Sequence, residues 1–382
     1  MTAAAPLAFI DLAAQRRRLG AGIDAAVARV LDHGQYIMGP EVREFEQRLG
    51  AFGGAAHVLS CANGTDALVL PLIAWGVGPG DAVFCPSFSF AATAEVVPWT
   101  GATPVFVDVL PDTYCMDPHS LAAAVEQVVA EGRLKPRVVI AVDLFGQPAD
   151  YPAVAAIAQR HGMKLVSDSA QGFGCTLGGQ HPLHWADVTT TSFFPAKPLG
   201  AYGDGGAVLT DDAALHEVLV SLRNHGAGVD KYDNVRIGMN SRLDTIQAAI
   251  LLEKLAAFPA EIEARNAAAE RYAELLEGVV RTPTVIAGGV STWAQYTVEV
   301  PDGAAARDGL MAALRAEGVP TAAYYPRPIH RQSAYAGYPL APGGLPVTDA
   351  KAEVVVSLPM HADLDPSTQR RVAEAVRRAL RA

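Results

Sequence analysis

The sequence KLVSDSAQG, at residues 164–172, decides how the rest of this chain is interpreted. Its first four residues predict a β-strand, and Asp168 follows at the carboxyl end of that strand. Ligands of open α/β sheets bind beyond the carboxyl ends of the strands, so an acid at this position can be functional. Taken alone, however, the stretch is better explained by an ordinary loop aspartate that caps a turn.

Short β-rich runs alternate with helical patterns on both sides of this stretch. Helical periodicity occurs, for example, at Ser120–Glu131 and Tyr151–His161. This alternation predicts an α/β fold with a mostly parallel sheet and helices on both faces. The predicted strands are His57–Cys61, Ala82–Cys85, Thr103–Val107, Val138–Val142, Lys164–Ser167, Val188–Phe194 and Ala207–Thr210.

The pattern changes near residue 240, where Ser241 to Asp244 resemble a capping box that opens a helix. A second, more charged helix is predicted at Glu261–Glu277. Further elements are predicted at Trp293–Val300 (strand), Arg307–Glu317 (helix) and from Asp365 onward (helix). We therefore divide the chain into a large domain, residues 1–255, and a smaller α/β C-terminal domain, residues 256–382. The N-terminal helix is a candidate to pack on the small domain.

Composition limits the classes of partner. The 382 residues carry a formal charge of −10, and half of them are hydrophobic, which predicts a large buried core. The negative charge argues against general binding to nucleic acids or membrane surfaces, because both attract basic faces. The longest apolar stretch, near Ala67–Val77, is too short to span a bilayer and is interrupted by Pro71.

The cysteines and the first residues bear on location. Cys61, Cys85, Cys115 and Cys175 form no C-x-x-C pair and match no zinc spacing, so we predict no metal site and a reducing cytoplasm. The segment Met1–Leu12 lacks a basic region followed by an apolar core, so we expect no signal peptide.

A second candidate residue is Lys197, within TSFFPAKPLG at residues 191–200. It follows a β-rich run and is surrounded by aromatic, proline and glycine residues. Burial there would lower the pKa of its amine and make the amine a better nucleophile. An ordinary surface lysine at a turn is the competing explanation.

A third candidate is NGTDAL, at residues 63–68, between a strand and an apolar helix. Gly64 permits close approach of the backbone, and Thr65 and Asp66 stand where the helix begins. Free N–H groups at a helix start bind phosphate, although a plain helix cap explains the same residues.

The glycines that follow Lys197 superficially resemble a dinucleotide-binding fingerprint. They are Gly200, Gly203, Gly205 and Gly206. Because a strand and not a helix follows them, we discount NAD and expect tight turns beside Lys197.

Together, the three candidates describe one cofactor site. A phosphate cradle, an acid for a ring nitrogen and a reactive amine are the parts that pyridoxal 5′-phosphate (PLP) needs. We therefore predict that Lys197 holds PLP as a Schiff base and later shuttles the proton. Asp168 would keep the ring nitrogen protonated, so that the ring can accept electrons.

The chain resembles the DegT–StrS group of nucleotide-sugar aminotransferases, which have the fold-type I architecture of PLP-dependent transferases. The resemblance covers nearly the whole length. It rests on Asn63–Leu68, Pro86–Thr93, Asp168–Gly174, Thr191–Gly206 and Gly238–Ala249. Members that dehydrate sugars have histidine where this chain has Lys197, so the lysine keeps the prediction of transamination.

The resemblance implies roles for individual residues. Lys197 and Asp168 would be catalytic, Gln171 would contact the cofactor, and Phe90 would stack on its ring. Phe88 is the less favoured stacking residue, and core packing is the alternative for both phenylalanines. The implied phosphate contacts are Gly64, Thr65, Ser192 and, from a neighbouring subunit, Asn240. The last contact implies a homodimer with shared active sites.

For the substrate, the chain looks most like the subgroup that aminates C3 of a UDP-linked 2-acetamido-2-deoxy-3-keto-D-glucuronate. Arg242 matches a residue of the second subunit that would bind the sugar carboxylate, with a helix-surface arginine as the alternative. Tyr325 matches the subgroup, whereas Tyr324 stands where the subgroup has histidine and would re-shape the sugar pocket.

The resulting hypothesis is a cytoplasmic enzyme of surface-polysaccharide biosynthesis, such as that of lipopolysaccharide or O-antigen. L-Glutamate would convert PLP to pyridoxamine 5′-phosphate, which then aminates the keto sugar. One alternative is the same chemistry on a nucleotide-linked 4-keto-6-deoxy sugar. A non-catalytic PLP-binding regulator is the alternative from another class.

Overall fold

The structure, a computed structural model, describes residues 7–230 and 232–381. The prediction of no signal peptide rests partly on residues 1–6, which lie outside the described residues. The helices are α1 (Leu12–His33), α2 (Pro40–Gly53), α3 (Gly64–Ala74), α4 (Ala92–Trp99), α5 (Pro118–Glu131), α6 (Tyr151–Arg160), α7 (Ala213–Arg223), α8 (Thr245–Leu276), α9 (Gly303–Ala316), α10 (Pro346–Val354) and α11 (Pro366–Ala379). The strands are β1 (His57–Cys61), β2 (Asp81–Pro86), β3 (Thr103–Val107), β4 (Lys135–Val142), β5 (Lys164–Asp168), β6 (Thr176–Leu177), β7 (Val188–Ser192), β8 (Gly206–Thr210), β9 (Gly289–Val290), β10 (Tyr296–Glu299) and β11 (Val355–Leu358).

A seven-stranded sheet, in the order β1-β8-β7-β5-β4-β2-β3, forms the centre of the molecule. Strand β8 is antiparallel to both of its neighbours, and the other pairs are parallel. Most strand residues are buried, as expected when helices cover both faces of a sheet. The predicted strands are all present, and the predicted mostly parallel mixed sheet flanked by helices is confirmed.

A smaller α/β layer lies in the C-terminal part of the chain. Strands β10 and β11 pair antiparallel, and they pack with α9, α11 and the second half of α8 around a separate apolar core. Tyr272, Tyr296 and Leu314 are fully buried there. Helix α8 runs unbroken through residue 255, so the division of domains at that residue stays a prediction.

Two predictions about α8 are wrong. Ser241 does not cap the helix: its hydroxyl donates to Asp66, and α8 begins at Thr245 after Asp244. The two helices predicted on either side of Pro259 are one helix. Proline removes one helical hydrogen bond, but tertiary packing overrides this local preference, because Phe258 is fully buried against Phe173.

Helix α1 lies along α8. Val30 and Ala26 pack against Ala249, and Arg18 pairs with Glu261 at 2.6 Å and with Asp363 at 2.9 Å. Through these ion pairs the N-terminal helix contacts both α8 and the C-terminal segment. None of the helices in the described part of the chain is long and apolar enough to cross a membrane.

Candidate active site

The two central residues lie at the carboxyl ends of neighbouring strands. Asp168 is the last residue of β5, and Lys197 follows the end of the adjacent strand β7 by five residues. Because these strands are parallel, both ends lie at the same edge of the sheet, where α/β folds bind ligands. The charge of each residue acts on the pKa of the other, so the fold brings the predicted amine and acid together.

The Asp168 carboxylate is buried and held by two donors. Oδ2 accepts a hydrogen bond of 2.8 Å from the Thr93 hydroxyl, and Oδ1 accepts one of 3.2 Å from the backbone N–H of Ala170. Burial raises the pKa of Asp168, while Thr93, Ala170 and the charge of Lys197 oppose that rise. The carboxylate is therefore oriented and available to a further cationic N–H group.

Lys197 lies in a tight turn, half-buried. Its backbone N–H donates to the carbonyl of Phe194 at 2.8 Å, which fixes the turn beyond β7. Burial lowers the pKa of the Lys197 amine, and the Asp168 charge opposes this effect. A lowered pKa leaves more of the amine neutral, which is the nucleophilic form.

The start of α3 forms a cradle beside Ser192. A Cβ at Gly64 would lie 2.6 Å from the Ser192 Cβ, and a Cβ at Gly206 would lie 2.4 Å from the Asn63 carbonyl oxygen, so only glycine permits this approach. Asn63 caps α3 by accepting from Asp66. The N–H groups of Gly64 and Thr65 have no acceptor within the described chain, which leaves them for an anion.

Gln171 connects the cofactor region to the C-terminal segment. Its Oε1 accepts from the backbone N–H of Phe145 at 2.8 Å, and its Nε2 donates to the Tyr325 hydroxyl at 2.9 Å. Burial raises the pKa of the Tyr325 phenol, so the group is neutral. Tyr324 is half-buried and packs against Tyr325 and Phe9.

The two candidate stacking residues differ in exposure. The Phe88 side chain is fully buried in the core, whereas the side chain of Phe90 is 56% exposed. The Phe90 ring lies 6.4 Å from the ring of Tyr325, at the edge of the same region. Phe90 therefore has a free aromatic face to offer a ligand, and its stacking role stays a prediction.

Asn240 and Arg242 are not joined to the central pair. No hydrogen bond or ion pair links either side chain to Lys197 or Asp168 within residues 7–230 and 232–381. Asn240 is exposed, and Arg242 lines a groove of about 780 Å³ beside α7. The Nε of Arg242 is buried and has no hydrogen-bond partner in the described chain.

These groups fit PLP by their chemistry. The N–H groups of Gly64 and Thr65 suit its phosphate, the Lys197 amine suits its aldehyde, and the Asp168 carboxylate suits its ring nitrogen. The roles of the individual residues stay predictions.

Sequence reasoning missed two residues of this region, Thr93 and Lys254. Thr93 lies in a stretch that carried the family resemblance, but nothing there indicated a bond to Asp168. Lys254 is buried in α8, where its Nζ donates to the Gly200 carbonyl at 2.6 Å and lies 4.2 Å from the Tyr202 ring centroid. It fixes the far end of the turn that carries Lys197, and no local pattern marked it.

Comparison with known proteins identifies similar chains. Residues 18–377 match the sequence profile of the DegT/DnrJ/EryC1/StrS aminotransferase family. The chain is 45% identical over 369 residues to the UDP-2-acetamido-2-deoxy-3-oxo-D-glucuronate aminotransferase of Pseudomonas aeruginosa, which covers 96% of this chain and 99% of the relative. It is 40% identical over 381 residues to the UDP-N-acetyl-3-dehydro-alpha-D-glucosamine 3-aminotransferase of Acidithiobacillus ferrooxidans, with 100% of both chains covered.

A solved structure agrees with these matches. The crystal structure of a DegT DnrJ EryC1 StrS aminotransferase from Brucella abortus superposes with a TM-score of 0.95 at 52% identity. The match covers 97% of this chain and 98% of that one. The predicted fold class is therefore confirmed by an independent structure as well as by the sheet topology.

Replacing Thr93 with valine removes a donor to Asp168 at nearly constant volume. Hydrogen bonds to charged groups contribute about 1.5–3 kcal/mol, so we expect the pKa of Asp168 to rise further, by about one pH unit or more. NMR of ¹³C-labelled aspartate in the cofactor-free protein measures this. Thr189→Val is the matched control, because that buried hydroxyl has no partner in the described chain. An unchanged or lower pKa in Thr93→Val would contradict the assigned bond.

The burial of Lys254 makes the stability of the protein depend on pH. Burial lowers its pKa from 10.5 to about 8, so between these values the unfolded chain holds a proton that the folded chain has released. The stability of the wild-type protein should therefore rise, relative to Lys254→Met, by about 1.4 kcal/mol per pH unit between about pH 8 and pH 10. Urea unfolding across this range measures the difference. Lys135→Met, at an exposed lysine, should show no such slope, and a flat or falling difference for Lys254→Met would refute the prediction.

Proposed function

Because this chain belongs to the DegT/DnrJ/EryC1/StrS aminotransferase family, we propose that it transfers the amino group of L-glutamate to C3 of a UDP-linked 3-keto sugar. The favoured substrate is UDP-2-acetamido-2-deoxy-3-keto-D-glucuronate. The products are 2-oxoglutarate and the corresponding 3-amino sugar. Support for this substrate comes from the 45% identity with the P. aeruginosa enzyme over nearly the full length.

The chain is a PLP-dependent sugar aminotransferase. When bound, PLP supplies an electrophilic aldehyde and an electron-accepting ring, and it carries the amino group between the two substrates as pyridoxamine phosphate. The observation that carries the proposal is that a buried acid, Asp168, and an amine of lowered pKa, Lys197, lie beyond adjacent parallel strand ends and influence each other electrostatically.

Each residue has a definite part in this proposal. The Lys197 amine would hold the cofactor aldehyde and would serve as the group that takes up and returns a proton at the reacting carbon. The Asp168 carboxylate would accept a hydrogen bond from the N–H of the ring nitrogen. Gly64, Thr65 and Ser192 would bind the phosphate. Gln171 would contact the cofactor beside Tyr325, and Phe90 would stack on the ring.

We further propose a homodimer in which each subunit completes the site of the other. Asn240 would bind the partner's phosphate group, and Arg242 the partner's sugar. Two observations support this arrangement: Asn240 is exposed, and the buried Nε of Arg242 has no partner in the described chain. The loop before Asn240 also exposes Val229 and Ile237, which a second subunit would cover.

Two candidate substrates differ at C6. The uronate carries a carboxylate, whereas the substrate named for the A. ferrooxidans relative is a UDP-N-acetylglucosamine derivative without one. The 40% identity with that relative over the whole chain makes its substrate the second candidate. Both relatives act on sugars oxidised at C3, so no observation favours the 4-keto-6-deoxy alternative.

The wider setting is also proposed. We place the enzyme in the cytoplasm, in surface-polysaccharide biosynthesis such as that of lipopolysaccharide or O-antigen, with neither nucleic acid nor membrane as a partner. The four free, buried cysteines suit a reducing compartment, and the charge of −10 does not suit nucleic acid. The alternative of a non-catalytic regulator is overturned, because the matching family is one of aminotransferases and the P. aeruginosa and A. ferrooxidans relatives are aminotransferases.

The function is tested by trapping and by turnover. The purified protein with PLP should be yellow, and borohydride should fix the cofactor to Lys197, as read by peptide mass spectrometry. L-Glutamate should bleach the colour and release 2-oxoglutarate. Lys254, a buried lysine that bonds to the same turn, should stay unlabelled, and Lys197→Ala should lose roughly 10²–10⁴-fold in turnover. A label elsewhere, or no response to glutamate, would defeat the proposal.

The substrate is tested through Arg242. If its guanidinium binds the sugar carboxylate, Arg242→Gln should lower kcat/KM for the uronate about 10–100-fold. The kcat/KM for the UDP-linked 3-keto sugar that lacks the C6 carboxylate should stay nearly unchanged. Arg236→Gln, at an arginine that lines the same groove, is the matched control. An equal loss of kcat/KM on both sugars would end the uronate proposal. A higher wild-type kcat/KM for the sugar without the carboxylate would also end it.

The Arg242→Gln variant also tests whether each active site contains residues of both subunits. Lys197→Ala and Arg242→Gln proteins, refolded together, would form mixed dimers in which one of the two sites is wild-type. Random pairing predicts about a quarter of the wild-type uronate activity. If the mixed preparation has no more uronate activity than the separate proteins, Arg242 acts within its own subunit.

A further inference from the structure

A second buried acid, Asp143, lies beside Asp168 at the end of the neighbouring strand. It follows β4, the neighbour of β5, and its backbone N–H donates to the Asp168 carbonyl at 3.0 Å. Asp143 is fully buried, and the Cβ of a side chain at Gly172 would lie 2.2 Å from its Cβ. The acid is therefore closely packed against the chain segment that begins with Asp168.

The Asp143 carboxylate is surrounded by donors. Oδ1 accepts from the Tyr151 hydroxyl at 2.6 Å and from the backbone N–H of Ala149 at 3.2 Å. Oδ2 accepts from the hydroxyls of Ser169 and Ser167, the latter at 3.3 Å. Four neutral donors on one carboxylate stabilise its ionised form, although no cationic side chain is among them.

A buried carboxylate without a cation carries a desolvation cost that these neutral donors only partly offset. Asparagine could fill the same volume without the desolvation of a charge. The titratable groups that face Asp143 are Asp168, Tyr151, Cys115 and Cys175, all of which are neutral or negative. Burial raises the pKa of Asp143 to about 6, so the group is largely ionised at neutral pH.

We propose that Asp143 is a positioning residue whose negative charge, transmitted through Asp168, keeps the cofactor ring nitrogen protonated. This inference rests on the proposed pairing of Asp168 with that nitrogen. A second negative charge close to Asp168 favours a positive charge on a ring nitrogen that Asp168 binds. The Ser169 bond and the backbone bond to Asp168 also fix the chain segment that carries the Asp168 carboxylate.

The proposal is tested with PLP labelled with ¹⁵N in the ring. In the wild-type holoenzyme the ¹⁵N chemical shift should report a protonated ring nitrogen through neutral pH. In Asp143→Asn the ring nitrogen should lose its proton at a pH at least about one unit lower than in the wild type. Turnover should fall on the order of 10-fold. A folded Asp143→Asn holoenzyme with the wild-type nitrogen titration would overturn the inference.

Asp168→Asn separates this inference from the proposed function. If Asp168→Asn leaves the ring nitrogen protonated, the pairing of Asp168 with the nitrogen is wrong. If Asp168→Asn removes the proton and Asp143→Asn does not, only the role of Asp143 fails. A loss of stability without a change in nitrogen titration also counts against it, because a merely structural role predicts that result.

A second variant applies if Asp143→Asn does not fold. Tyr151→Phe combined with Ser169→Ala removes two donors and favours protonation of Asp143 at neutral pH. The ring nitrogen should then lose its proton at a lower pH than in the wild type. An unchanged titration in that double variant overturns the proposal.

Discussion

The mutual electrostatic influence of Asp168 and Lys197 is the constraint on which the rest of the structure depends. Burial makes each charge costly by itself, and each residue partly offsets that cost for the other. A cofactor with a cationic ring nitrogen and an electrophilic aldehyde would satisfy both groups at once. The fold creates this situation by ending two parallel neighbouring strands at one edge of the sheet.

The surrounding residues set the geometry of that edge. Thr93 and Ala170 orient the acid, whereas the turn after β7 and the buried Lys254 fix the segment that carries the amine. Glycine at position 64 allows the start of α3 to approach Ser192. The contacts that position the site therefore also contribute to the stability of the fold. Two of them come from the buried polar side chains of Thr93 and Lys254.

Sequence patterns predicted the sheet from local periodicity. They predicted the central pair only from three motifs taken together, because each motif alone has an ordinary explanation. Asp143 follows a predicted strand in the same way as Asp168, so this signal was present but unused. Lys254 could not be predicted, since a polar residue within a helix reveals its burial only through tertiary packing. The unbroken α8 shows the same limit: the sequence pattern predicted two helices there, and the structure has one, with Phe258 packed against Phe173 in its middle.

The most direct measurement is a crystal structure of the protein reconstituted with PLP. The account predicts continuous electron density from the Lys197 Nζ to the cofactor. It also predicts the ring nitrogen within hydrogen-bond distance of the Asp168 carboxylate, and the phosphate at the N–H groups of Gly64 and Thr65. Cofactor density at another lysine, or a ring whose nitrogen points away from Asp168, would contradict it.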